Sequence, residues 1–429
     1  MVDKTHGEVS RRNFIAGVGA VALAGAAAGE SLKSSETKSA KPKKRAPIAK
    51  IRMGVVGGNF GAGFQWHLDP DCKVTAVCDI RDEALGRLAK TYGCANTFKT
   101  FREMLQHPEL DAVGVFTPAP LHVWMAIEAM KAGKHVISAV PAGMSADELE
   151  ELLDCVKSTG MTYMMAETSY YHPEIIACRE KAQAGEFGTI FYSEAEYHHE
   201  GLKALMYDDR GLPTWRHGFP PMHYPTHCTG MIVPVTGERL TAVSAIGWGD
   251  DHEILRTNTY GNPFWNTTAF FRTARGHSAR VAVYWHVAAG GTERASFYGD
   301  RMSYSAARPE GSPNSLVTIA KDGKTTLDTN GYPEGDVHID PDKTPDYFDR
   351  LPEPMRVQTG HHNSHTFLTH EFVRAVIEDR PPSVDVYEAI AYTMPGIVAH
   401  QSAIQNGRTI RIRDYGVAPE REKAAKNKA

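Results

Sequence analysis

The chain has 429 residues, 42% hydrophobic and 23% charged, enough for one large or two ordinary domains with a core that needs no disulfide staples. Its formal charge of −4 leaves no cationic excess to grip a nucleic-acid backbone, so no nucleic-acid partner is expected.

At the N-terminus, Ser10-Arg11-Arg12-Asn13-Phe14-Ile15 precedes a small, apolar run from Ala16 to Ala28. This predicts a twin-arginine export signal over residues 1–29, with Ala26-Ala27-Ala28 as the cleavage region and a periplasmic or other extracytoplasmic destination. The run falls short of the roughly 20 strongly apolar residues that a membrane span needs. No integral span is therefore expected after signal removal. Residues 30–49 are mostly Ser, Lys, Pro and Ala without apolar periodicity, which predicts a disordered linker. The six cysteines, Cys72, Cys78, Cys94, Cys155, Cys178 and Cys228, form no Cys-x-x-Cys pair and read as free buried thiols.

Residues 50–168 alternate strands and helices. Ile51 to Val56 reads as a strand running into Gly57-Gly58-Asn59-Phe60-Gly61-Ala62-Gly63, then a helical stretch, then a strand from Lys73 to Cys78 that ends at Asp79. Strand, glycine turn, helix, strand and acidic residue is the context of a dinucleotide site, here one for NAD. Gly57 supplies the sharp turn, Gly61 follows, and Asn59 and Phe60 fill the turn that faces the pyrophosphate. A carboxylate at Asp79 can accept from ribose hydroxyls and repels a 2′-phosphate. Further strands are predicted over 111–116, 135–138 and 161–166, with helices over 121–131 and 145–158. Thr117, Pro118, His122 and Pro141 fall at strand ends or just beyond, where an open parallel sheet binds its ligand.

The segments VGGNFGAGF, CDIRDEAL, TPAPLHVWMAIEAMKAGKHV and YPTHCTG resemble the superfamily of glucose/fructose oxidoreductase, inositol dehydrogenase and rhizopine-catabolism proteins, known as Gfo/Idh/MocA. The resemblance implies a Rossmann dinucleotide-binding domain, then an α/β domain with an open, largely antiparallel sheet. It also implies hydride exchange between NAD and a carbinol carbon of a small carbohydrate, and a homo-oligomer. The family's Glu-Lys-Pro is replaced by Ala139-Val140-Pro141, so its proton-relay lysine is missing. Val140-Pro141-Ala142, Tyr170-Tyr171 after Glu167, and Tyr224-Pro225-Thr226-His227 resemble the NAD-dependent glycosidase branch, which implies transient oxidation, elimination, water addition and re-reduction. A non-catalytic sugar- or dinucleotide-binding protein is the third reading. His227 is the leading acid–base candidate, followed by Tyr171; His223 and Tyr170 are secondary.

Residues 169–429 read as the substrate-binding and oligomerisation domain. Extended segments are predicted over 191–198, 240–248, 267–271, 279–285 and 295–299, return helices over 365–377 and 387–404, and loops around two short strands over 306–349. GHHNSH, from Gly360 to His365, precedes the first return helix and can bring a polar helix start toward substrate. Histidines are numerous, but none has a compact ligand spacing and hydride transfer needs no metal, so none is expected.

Overall fold

A computed structural model describes residues 48–288, 290–308, 311–320, 326–331 and 333–426; the expected export signal and nearly all of the linker lie in residues 1–47, outside them. From Ile51 onward the short apolar runs become parallel strands: β1 (Ile51–Val56), β2 (Cys72–Cys78), β3 (Thr97–Phe98), β4 (Ala112–Val115), β5 (His135–Ser138) and β6 (Tyr163–Met165). The inner strands are buried on both faces, as a covered parallel sheet requires. Their order, β3-β2-β1-β4-β5-β6, reverses between β1 and β4, which opens a crevice at the carboxyl ends. The connecting helices are α1 (Asp82–Tyr92), α2 (Phe101–Leu105), α3 (His122–Lys131) and α4 (Ala146–Thr159). Ser145 caps the start of α4: Glu148 N–H donates to Ser145 Oγ at 3.2 Å, and the Glu148 side chain reaches back to accept from Met144 N–H at 2.6 Å, one residue before the cap.

Beyond α5 (Pro173–Gln183), alternating apolar residues build a second sheet. Its strands are β7 (Ile190–His198), β8 (Leu240–Trp248), β9 (Asn266–Thr273), β10 (Ser278–Tyr284), β11 (Thr292–Gly299), β12 (Met302–Ser305) and β13 (Ser315–Ala320). A hairpin of β14 (Thr326–Leu327) and β15 (Pro333–Glu334) follows, and β16 (Asp336–Pro341) and β17 (Ile410–Arg411) complete the sheet. The order is β16-β13-β12-β11-β7-β10-β9-β8-β17, antiparallel among the described strands except for β7 beside β10. The 306–349 stretch, read as loops around two short strands, thus extends this sheet at one edge with β13 and β16. β11 starts three residues earlier than the sequence reading and sets Glu293 opposite Tyr197 on β7.

Helices α6 (Thr226–Thr236) and α9 (Val386–Ile404) pack on this sheet, while α7 (Glu253–Arg256) and α10 (Pro419–Lys426) are short. The opposite face carries exposed Ile246, Trp248 and Phe270. One expectation of the sequence fails in the first sheet. Two 3-10 turns, Gly61–Gly63 and Trp66–Leu68, join β1 to β2 where a helix was expected. The connection is short, opens with the glycine turn and holds Pro70 near its end, so a helix of several turns has no room. The exposed flank of β1 is covered instead by α8 (Ser364–Ile377), whose Leu368, Phe372 and Val373 share a buried cluster with Phe64, Trp66, Ile51, Met53 and Val55.

Candidate active site

The crevice begins at Gly57, whose φ is +99° and where a Cβ would lie 2.2 Å from the Phe116 carbonyl oxygen; only glycine fits. Gly58 lies as close to α1, with a Cβ position 2.1 Å from the Ala84 carbonyl oxygen. Asp79, at the end of β2, accepts from Gly58 N–H at 2.7 Å and from Arg81 N–H at 2.9 Å, so it fixes the turn from the side where a ribose would lie. Asn59 turns its side chain toward α1, where its Oδ1 accepts from Arg87 at 2.9 Å. The N–H groups of Asn59 and Phe60 have no intramolecular partner among the described residues, which leaves them for a pyrophosphate. Gly61 packs on Phe116, and Phe60 stands edge-on to Phe64 and Phe116.

Across the crevice, the buried His122 ring lies 2.8 Å from both the Thr117 and the Pro141 carbonyl oxygens. It ties the loops after β4 and β5 together, so its role in this structure is to hold the Thr117-Pro118 and Val140-Pro141 walls. These residues together fit a bound dinucleotide.

Beside this crevice, His227 lies in the first turn of α6 and is 4% exposed. Its Nδ1 is 2.9 Å from Glu167 Oε1, 3.3 Å from Ser169 Oγ and 3.5 Å from Glu293 Oε1, which leaves Nε2 for a substrate hydroxyl. Glu167 follows β6 and is wholly buried; it crosses α6 at Gly230, where a Cβ would stand 2.6 Å from its Cγ. Burial disfavours the charged imidazole, but Glu167 and Glu293 outweigh it and raise His227 to about 9. The two carboxyls part in the opposite sense. Burial pulls Glu167 up but the imidazole holds it below the usual range, whereas burial prevails at Glu293 and raises it. Ser169 Oγ donates to Glu293.

Two aromatic rings complete the wall: Tyr197 at 4.6 Å and Tyr224 at 5.5 Å from the His227 ring. Burial, with Tyr224, Glu293 and Glu167 nearby, pushes the Tyr197 phenol well up, so it keeps its proton. The GHHNSH segment joins this cluster to the glycine turn. His365 stacks on Phe64 at 4.6 Å and its Nδ1 is 3.1 Å from the Gly63 carbonyl oxygen, while the His362 ring stacks on His172 at 4.2 Å.

The other sequence candidates lie apart from His227. Tyr171 is buried against Phe367, and its hydroxyl donates to Ser383 Oγ at 3.0 Å, which in turn donates to Glu371 at 2.9 Å. That network faces α8, because the 3-10 turn at Thr168–Tyr171 rotates successive side chains away from one another. Tyr170 lies under the Arg179 guanidinium at 3.8 Å. His223 packs against Phe219 and His400, and burial lowers it to about 3. Glu167, Ser169, Tyr197 and Glu293 escaped the sequence reading as site residues. The one legible signal was Glu167 closing its strand.

Residues 51–167 match an oxidoreductase family with an NAD-binding Rossmann fold. A glycosyl hydrolase family 109 protein of Shewanella amazonensis is 31% identical over 253 residues, a match that spans 52% of this chain and only about half (54%) of that relative. Another, from Stenotrophomonas maltophilia, is 26% identical over 85% of this chain and 89% of its own length. The fold is also that of scyllo-inositol dehydrogenase from Lactobacillus casei, solved with NAD(H) and scyllo-inositol: TM-score 0.62, 16% identity, 84% of this chain and 99% of that one.

Proposed function

We propose that the chain, whose residues 51–167 match an oxidoreductase family with an NAD-binding Rossmann fold, is an NAD-dependent oxidoreductase acting on a sugar or glycoside by hydride transfer at a carbinol carbon. The observation that carries this reading is His227, held by Glu167 at 2.9 Å beside the glycine-turn crevice. The Gly57–Gly61 turn, Asp79 and the loops clamped by His122 would hold the dinucleotide, which supplies a hydride acceptor and donor. Proton transfer is left to the protein. His227 Nε2 takes the hydroxyl proton as the carbinol is oxidised, and Glu167 stabilises the imidazolium that forms. The missing lysine at Val140 makes this histidine the proton carrier.

A second reading, net glycoside cleavage with recycled NAD, is favoured by the similarity to family 109 glycosyl hydrolases and by the two carboxyls of opposed environment. Oxidation acidifies the neighbouring C–H bond; once the imidazolium formed in that step has released its proton to solvent, His227 can remove the C–H proton while Glu293, held toward its neutral form, protonates the departing glycosidic oxygen. The twin-arginine segment supports export of the folded protein with its dinucleotide already bound. The exposed apolar sheet face supports a homo-oligomer. Purified protein mixed with a panel of sugars and glycosides, with NAD added, tests the leading reading: nicotinamide absorbance rises, or isotope exchanges at a carbinol carbon. Failure of every sugar to do either, with dinucleotide demonstrably bound, overturns it.

A further inference from the structure

We propose that His172, Glu174 and His362 form a binding site for a zinc-class divalent cation, next to the His227 cluster and distinct from it. Donor atoms of the three side chains lie within 4.8 Å of one another. Two imidazoles and one carboxylate are a set that holds Zn²⁺ while leaving a coordination position open. The ligands come from two segments far apart in the chain, the start of α5 and the GHHNSH segment, so no compact sequence spacing betrays them.

His172 supplies the strongest support. It is 0% exposed, yet among the described residues neither ring nitrogen has a hydrogen-bond partner, a state that buried polar groups avoid. The two nitrogens point to different groups: Nδ1 is 3.7 Å from Glu174 Oε1, and Nε2 is 3.5 Å from Glu293 Oε1. A carboxylate behind one nitrogen while the other faces the ligand set is the arrangement that orients a metal-bound histidine. A cation at Nδ1 satisfies the buried ring and draws Glu174 in.

The backbone gives independent support. His361, His362 and Asn363 are three successive non-glycine residues with φ of 51°, 54° and 68°. Side chains rarely adopt this left-handed conformation, and it persists where its surroundings impose it. Here it places the exposed His362 ring over His172 at 4.2 Å. Glu174 is only half-buried, so an ion can enter from solvent.

The test uses tag-free full-length protein, stripped with chelator and titrated with zinc chloride, and then with cobalt chloride for its visible spectrum. We expect one Zn²⁺ per chain and a cobalt d–d band of low coordination number. In His362→Ala and Glu174→Gln, both at accessible positions, affinity falls roughly 10-fold or more and the band is lost or shifted. In His227→Ala, binding persists. Zinc also raises the melting temperature of the parent protein but not of His362→Ala. Absence of stoichiometric binding overturns the site. So does an ion lost in His227→Ala but retained in His362→Ala, which places it in the Glu167, His227 and Glu293 group. None of these readouts depends on hydride transfer, so failure of the site and failure of the proposed function are distinguished.

Discussion

Burial and charge act in opposite directions on His227, and the carboxylates prevail. With the imidazole raised to about 9, it is protonated in the free protein at neutral pH and must lose that proton before it can act as a base. Oxidation measured as kcat/KM should therefore rise with pH toward a limb near that value, lowered where bound NAD⁺ adds a like charge. Glu167→Gln removes an opposing charge, so the limb should move to lower pH; an unmoved limb would show that Glu167 does not set it. His227→Ala should lower kcat by about 10²- to 10⁴-fold, the usual worth of a positioned acid or base. Tyr171→Phe should leave kcat close to that of the parent and cost about 1 kcal/mol of stability in denaturant unfolding, because its hydroxyl serves Ser383. A collapse of turnover in Tyr171→Phe would contradict this placement. The Tyr-Pro-Thr-His segment made His227 legible from sequence. Its partners were not, since Glu167 and Glu293 reach it only through the packing of α6 against the Thr168–Tyr171 turn that follows β6 and against β11, and Tyr197 on β7 takes the place of Tyr171 at its side for the same reason.

At the scale of elements, the first sheet followed directly from short apolar runs broken by Gly, Pro and Asp, and the turn at Gly57 was readable because strand, glycines and Asp79 came in the right order. The helix expected after that turn is missing, and its place on the β1 flank is taken by α8 from near the other end of the chain. No local pattern announces such a substitution, since α8 shows only that one of its faces is apolar. Gly58→Ala should test how tightly the turn is built. Its Cβ would meet the Ala84 carbonyl oxygen at 2.1 Å, so calorimetry should show weakened NAD binding, and unfolding should show a loss of about 1–3 kcal/mol. Asp79→Ala should weaken NAD more than NADP; equal losses would contradict a ribose contact and leave Asp79 as a support for Gly58 alone.

Over the whole molecule, the second sheet has one face under α6 and α9 and another that exposes Ile246, Trp248 and Phe270 at 61%, 50% and 57%. Apolar residues grouped on an open sheet mark a contact surface, and the extended Val-, Tyr- and Phe-rich segments of the sequence predict such a surface on this sheet without marking which residues form it. Light scattering should find an oligomer in the parent protein and a monomer in Phe270→Glu; a monomeric parent would reject assembly on this face. The central claim is that one site with His227 as its proton carrier takes a hydride from a carbohydrate and can return it. Incubation with a single glycoside in deuterated water, without added NAD, tests it most directly. Deuterium at C2 of the released sugar with no net NADH, abolished in His227→Ala, is the predicted result for internal oxidation and elimination. Unlabelled sugar with stoichiometric free NADH would contradict recycling, and label incorporation that persists in His227→Ala would contradict the site.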